Sequence, residues 1–100
     1  MRGVAVIPQG FRFGGGRGGL KNRKNDVGLI VSDRPAAVAG LFTQNLVHAA
    51  CVDYTRKVVQ GTGTARAILV NSGNANCCTG VQGERDTARS AELAAEVLGL

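Results

Sequence analysis

An aliphatic run that stops abruptly in small polar residues constrains this chain most. Ala67-Ile68-Leu69-Val70 leads into Asn71-Ser72-Gly73-Asn74-Ala75-Asn76-Cys77-Cys78-Thr79-Gly80. From Val81 to Leu98 the apolar residues then recur at helical spacing. A buried strand, a tight polar loop and a helix in succession make an α/β unit, and such loops often carry the sites of α/β folds. The residue types suit the loop. Gly73 and Gly80 accept positive φ, while Asn and Ser satisfy stray backbone groups. Asn76 or Thr79 is placed to cap the helix. Asn71, Asn74 and Asn76 also offer neutral donors and acceptors to a ligand. Spacing alone favours a plain turn and leaves a binding loop open.

With 100 residues the chain is one domain at most. Its 44% hydrophobic and 19% charged residues are enough for a core and exclude a disordered composition. That core is aliphatic, because the aromatics are only Phe11, Phe13, Phe42 and Tyr54. So short a chain buries a modest fraction of its surface and needs something further to pack against. Net charge is +5, and Arg2, Arg12, Arg17, Lys21, Arg23 and Lys24 all precede the first acid, Asp26. A basic, glycine-rich front half makes a small nucleic-acid-binding module the rival reading. The scarcity of aromatic stacking platforms argues against it, so no nucleic acid is expected as a partner.

Cys51, Cys77 and Cys78 are odd in number, and two are adjacent. That pattern gives neither a disulfide framework nor zinc-ligand spacing, and it fits reduced thiols of a cytoplasmic protein. No metal or cofactor is expected. The apolar start is too short for a signal peptide, and no run is long enough to span a membrane.

Val4 to Ile7 reads as a lead-in or edge strand stopped by Pro8, and Pro8-Gln9-Gly10 as a turn. Phe11-Arg12-Phe13 alternates like a strand, and Gly14 to Gly19 reads as a glycine loop. Gly14, Gly16 and Gly19 match the dinucleotide fingerprint in letters only, since no apolar helix follows. Asp26 to Asp33 reads as a buried strand, Asp33-Arg34-Pro35 as a turn, and Ala36 to Thr43 as a second strand closing a hairpin. Gln44 to Val52 reads as extended with a structural His48 inside it. Asp53 to Gln60 reads as a short helix capped by Asp53, with Lys57 in its last turn. Gly61 to Thr64 is a turn, Ala65 to Asn71 a buried strand, and Gly99 ends the last helix.

Three blocks carry a resemblance: Gly10-Phe11-Arg12, the run Val31 to Asn45, and the run Ala67 to Gly80. In order and spacing they resemble the glutamate N-acetyltransferase / ornithine acetyltransferase family of arginine biosynthesis. The resemblance covers about Val6 to Gly99, and Asn71 to Thr79 is its most specific part. Cys77 stands where the family more often has Ala, and Gly14 to Gly19 is richer in glycine than usual.

The resemblance implies an α/β fold in which sheets are sandwiched between helices. Residues 1–100 would be a single incomplete domain, the N-terminal fragment of that fold. It implies acetyl transfer from N-acetylornithine to glutamate, in some members also from acetyl-CoA, through an acetyl-threonine intermediate on a self-cleaved precursor. The expected partners are the C-terminal remainder, those small substrates, and a second cut precursor in a heterotetramer. The family's oxyanion Thr-Gly pair, cleavage site and nucleophilic Thr match no position of this chain. No catalytic residue is therefore assigned here, and the isolated chain is expected to be inactive. Asn71, Asn74 and Asn76 remain as candidate site-lining residues.

Overall fold

The computed structural model describes residues 7–18, 25–72, 76–77 and 79–100. Strand β1 (Phe11–Gly16), strand β2 (Val27–Ala37), helix α1 (Ala50–Gly61), strand β3 (Thr64–Asn71) and helix α2 (Gly80–Leu98) follow in that order. The strands form one antiparallel sheet in the order β1-β2-β3. Helix α1 packs against α2 and against β3.

The expected glycine loop is partly strand. Gly14, Gly15 and Gly16 continue β1 and pair with Leu29, Gly28 and Val27. Ladder hydrogen bonds from β2 offset the glycines' weak strand preference, and Gly15 facing Gly28 leaves a stretch without side chains. The fingerprint match does not form a phosphate loop at its first glycines, which lie within a strand; among the described residues the next element is β2. Residues 1–6 and 19–24 lie outside the described residues, and with them most of the expected lead-in strand.

The expected hairpin of 26–33 and 36–43 does not form. Strand β2 runs through Asp33-Arg34-Pro35, and its neighbours are β1 and β3. Between Val31 and Ala36 the register with β3 shifts. Pro35 has no N–H to give, and it falls inside this irregularity, where the ladder is interrupted. Side chains take over there: Ser32 Oγ donates to Arg34 O at 2.6 Å, and Arg66 Nε donates to Ser32 O at 3.0 Å. Beyond Ala37 the chain is irregular, anchored first by Val38 N–H to Gly63 O at 2.9 Å.

Helix α1 begins earlier than the expected Asp53, with Ala49 at its N-cap and Asp53 in its first turn. A carboxylate there still meets the positive end of the helix dipole. Lys57 is not in the last turn. Helix α2 matches the expected span to within one residue. Its half-buried stripe is narrower than expected: Ala88, Ala91, Ala94, Ala95 and Leu98 face inward, while Leu93 and Val97 are exposed. Gly99 closes it in the left-handed conformation, φ 72°, with Leu100 N–H on Ala95 O at 2.8 Å.

Val31 is 6% exposed and is the one buried hydrophobic side chain among the described residues, so it marks the covered face of the sheet. Side chains alternate along a strand, so the cross-strand row Phe13, Ile30 and Ile68 lies on the other face. Phe13 and Ile68 are each 53% exposed, and Val70 is 49% exposed. The accessible surface totals 7948 Å², against about 5,400 Å² for a compact protein of this mass. The sheet thus has helices to one side and an open apolar side. Among the described residues no helix is long and apolar enough to cross a membrane.

Candidate functional site

The end of β3 meets the start of β2 and the end of β1, since Asn71 pairs with Val27 and Val27 with Gly16. At this corner the polar loop leaves for α2. Asn71 and Asn76 join their side-chain amides reciprocally, Asn71 Nδ2 to Asn76 Oδ1 at 3.3 Å and Asn76 Nδ2 to Asn71 Oδ1 at 3.1 Å. Two of the three expected asparagines are therefore brought together. Asn74 and Gly73 lie outside the described residues. Each primary amide has two N–H donors and two acceptor lone pairs, so Asn71 keeps one donor beyond the pair.

Thr79 is the N-cap of α2, but its side chain does not cap. Its hydroxyl points back to Asn76 O at 3.4 Å. Gly80 follows at φ 63°, a left-handed turn that sets the angle between loop and helix and that a Cβ would strain. An isolated antiparallel bridge joins Cys77 to Ala49, so the loop before α2 is fastened to the residue that starts α1. Cys51 and Cys77 are both exposed. Among the described residues no group of three His, Cys, Asp or Glu is arranged to hold a metal ion.

Asp26 sits at the same corner and is 2% exposed. Its carboxylate accepts the Gly18 N–H, its own N–H donates to Gly16 O at 2.9 Å, and its carbonyl accepts the Ser72 N–H at 2.9 Å. An open cleft of about 380 Å³ lies alongside, lined by Gly14 to Gly18 and Val27 to Leu29. Reading the sequence as a strand start missed this residue's role. The usable signal was an acid placed directly before an apolar strand, where burial is costly unless hydrogen bonds compensate.

A second polar cluster ties the irregular segment to α1. His48 Nε2 lies 2.8 Å from Asp53 Oδ1, and His48 Nδ1 lies 2.7 Å from Asn45 O. Both ring nitrogens face acceptors, which only the imidazolium satisfies together. The Asn45 carbonyl first and the Asp53 carboxylate second raise the His48 pKa above its ordinary value, with nearby Arg56 opposing. Arg56 also reaches Asp53 at 3.4 Å and Thr43 O at 3.4 Å, and its guanidinium stacks 5.3 Å from the centre of the Phe42 ring. The structural role read for His48 thus has a definite partner set.

That geometry sets a pH dependence. The folded pKa is raised, so the contribution of His48 is fully present below the unfolded value near 6.5. It is lost as pH rises through the folded value. Above that window the 42–48 segment is expected to exchange its amide hydrogens faster. An NMR titration of the His48 ring is expected to show a raised midpoint that falls back in Asp53→Asn. An unchanged midpoint in that variant would refute the ion pair.

The model of the ArgJ family matches residues 12–100. This chain belongs to the ArgJ family. It is 48% identical over 98 residues to the arginine biosynthesis bifunctional protein ArgJ of Streptococcus thermophilus, covering 98% of this chain and 25% of that protein. The ArgJ of Gloeobacter violaceus is 47% identical over 98 residues, covering 97% of this chain and 24% of that protein. The chain therefore spans about a quarter of the length of the curated relatives it matches. The crystal structure of ArgJ from Bacillus halodurans superimposes with a TM-score of 0.88 at 36% identity, covering 92% of this chain and 48% of that one. The ornithine acetyltransferase of Mycobacterium tuberculosis, solved with ornithine, gives 0.86 at 44% identity, again over 92% and 48%. The α/β fold expected from the resemblance is thus the fold of ArgJ.

Proposed function

We propose that residues 1–100 form the front part of an ArgJ acetyltransferase that moves an acetyl group from N-acetylornithine to glutamate. A threonine supplied by the C-terminal remainder attacks the acetyl carbonyl. Ornithine leaves with its amine restored, and the glutamate amine then takes the acetyl group from the threonine oxygen. No residue of this chain is given the nucleophile's role. Alone it is inactive; with the remainder, and with a second cut precursor in a heterotetramer, it is the scaffold of one incomplete domain.

The observation that supports this reading is the joined amide pair Asn71–Asn76 at the exit of β3. It lies in the block that most resembles the acetyltransferase family, in a chain whose Mycobacterium tuberculosis relative was solved with ornithine. Asn71, Asn74 and Asn76 line or buttress the pocket for the amino-acid substrate, offering neutral hydrogen bonds to its polar groups. The open sheet face of Phe13, Ile30 and Ile68 is the surface on which the remainder packs.

The test uses a full-length family enzyme in which residues 1–100 of this chain replace its own first quarter. Asn71→Ala and Asn76→Ala are each expected to raise KM for N-acetylornithine about tenfold, the scale of one lost hydrogen bond of roughly 1.4 kcal/mol. Folded variants, Asn74→Ala included, with kcat and KM unchanged would leave the loop a plain turn.

A further inference from the structure

We infer that Asp26 is a positioning residue for the Asn71–Asn76 loop, acting on the site without touching substrate. The inference rests on the proposed substrate role of that loop. Among the described residues Asp26 reaches partners on two separate segments. Its carboxylate holds the N–H of Gly18, its amide holds Gly16 O at 2.9 Å, and its carbonyl holds the N–H of Ser72 at 2.9 Å. Gly16 ends β1, and Gly18 belongs to the arm that leaves it. Ser72 is the first residue of the loop that leaves β3. One residue at the head of β2 therefore fastens both exits to each other.

The fastening is tight. A Cβ on Gly18 would stand 2.9 Å from Val27 Cγ2 and 3.3 Å from Asp26 Oδ1, so the arm lies flat against the carboxylate only because residue 18 is glycine. A carboxylate 2% exposed is costly to hold, and a neutral side chain would be easier to bury if packing were its only task. Asn71, one residue before Ser72, pairs across the ladder with Val27, one residue after Asp26. Displacement of Asp26 is thus passed to the amide pair through two adjacent backbone links. Gly14 to Gly18, which line the cleft beside Asp26, thereby form the outer wall of this corner.

The experiment uses the same full-length enzyme carrying residues 1–100 of this chain. Asp26→Ala removes the acceptor. Asp26→Asn keeps an oxygen for the Gly18 N–H and drops the charge. Val31→Ala loosens the core away from the loop. Misplacing a substrate-binding group by about 1 Å costs on the order of 100-fold in rate. Asp26→Ala is therefore expected to lower kcat/KM for N-acetylornithine by about 10- to 100-fold, mostly through KM. Asp26→Asn is expected to recover most of that loss, while Val31→Ala lowers Tm and leaves both constants of the folded enzyme unchanged. If Asp26→Ala does not fold, Gly18→Ala pushes the same contact from its other side and is expected to raise KM in the same way. Unchanged constants in a folded Asp26→Ala or Gly18→Ala enzyme, with the unsubstituted enzyme active, would overturn the positioning role alone. Unchanged constants in Asn71→Ala and Asn76→Ala would instead overturn the reading of the loop on which it rests.

Discussion

Gly83→Ala is expected to destabilise the chain by about 2 kcal/mol, although alanine is the better helix former. Gly83 lies in the first turns of α2 and is the one buried residue of that helix. A Cβ at this position would overlap Cβ and Oγ1 of Thr79, which lie one turn back. The hydroxyl can rotate away, but the Thr79 Cβ is fixed to the backbone, so the turn itself must move. Gly→Ala inside a helix gains about 1 kcal/mol. Overpacking a tight site costs about 1–3 kcal/mol and more where the backbone must shift, so the steric term wins. The same exchange at Gly61, where a Cβ meets nothing, is expected to have the opposite sign, a gain of about 0.5–1 kcal/mol. Urea unfolding of both variants checks the pair. Gly83→Ala should regain most of its loss when combined with Thr79→Gly, and a Gly83→Ala chain as stable as the parent would refute the contact.

The second large effect concerns the two faces of the sheet. Val31→Ala is expected to cost about 2 kcal/mol, from two lost methyl groups and the cavity they leave. Ile68, one residue on from Val31's ladder partner Ala67, sits on the open face at 53% exposure. Ile68→Ala in the isolated chain is expected to cost well under 1 kcal/mol, since half of that side chain is already in water. In the full-length enzyme, where the proposed remainder covers this face, the cost should rise to about 2–4 kcal/mol. Equal effects of Ile68→Ala in the two contexts would show that nothing packs on that face.

The parts of the fold legible in the sequence were those with one dominant pattern. The aliphatic run Ala67 to Val70, the alanine-rich stripe of α2 and the Gly99 cap each stand almost where periodicity put them, although Ile68 to Val70, read as part of a buried strand, are exposed. Legibility failed where tertiary pairing overrode local preference. Gly14 to Gly16 have poor strand propensity, yet β2 offers them a ladder. Pro35 signals a turn by its local chemistry, but a register irregularity absorbs it and the strand goes on to pair with Ala65 and Thr64. Helix α1 starts before its acid because the chain turns in at Ala49, where the bridge to Cys77 holds it.

The same division runs through the candidate corner. Asparagines at the end of an aliphatic run announce a polar loop, and the structure adds a contact spacing did not suggest, the pair of Asn71 with Asn76. Asp26 and the His48–Asp53–Arg56 cluster could not be found by spacing. Ser72 and Phe42 reach Asp26 and Arg56 from segments distant in the chain, while Asn45 and Asp53 meet His48 through a local turn that no periodicity marks. Sequence distance hides the Asp26–Ser72 contact, which the shared end of the antiparallel strands creates.

On the proposed function, residues 1–100 are a scaffold, and acetyl transfer needs the remainder of the ArgJ polypeptide. The most direct measurement is acetyl transfer from N-acetylornithine to glutamate, made with residues 1–100 alone and again with the downstream portion of a relative supplied. Transfer only in the second assay is the expected result. Transfer by the 100-residue chain alone would contradict the account, because it would require a nucleophile among residues to which none has been assigned.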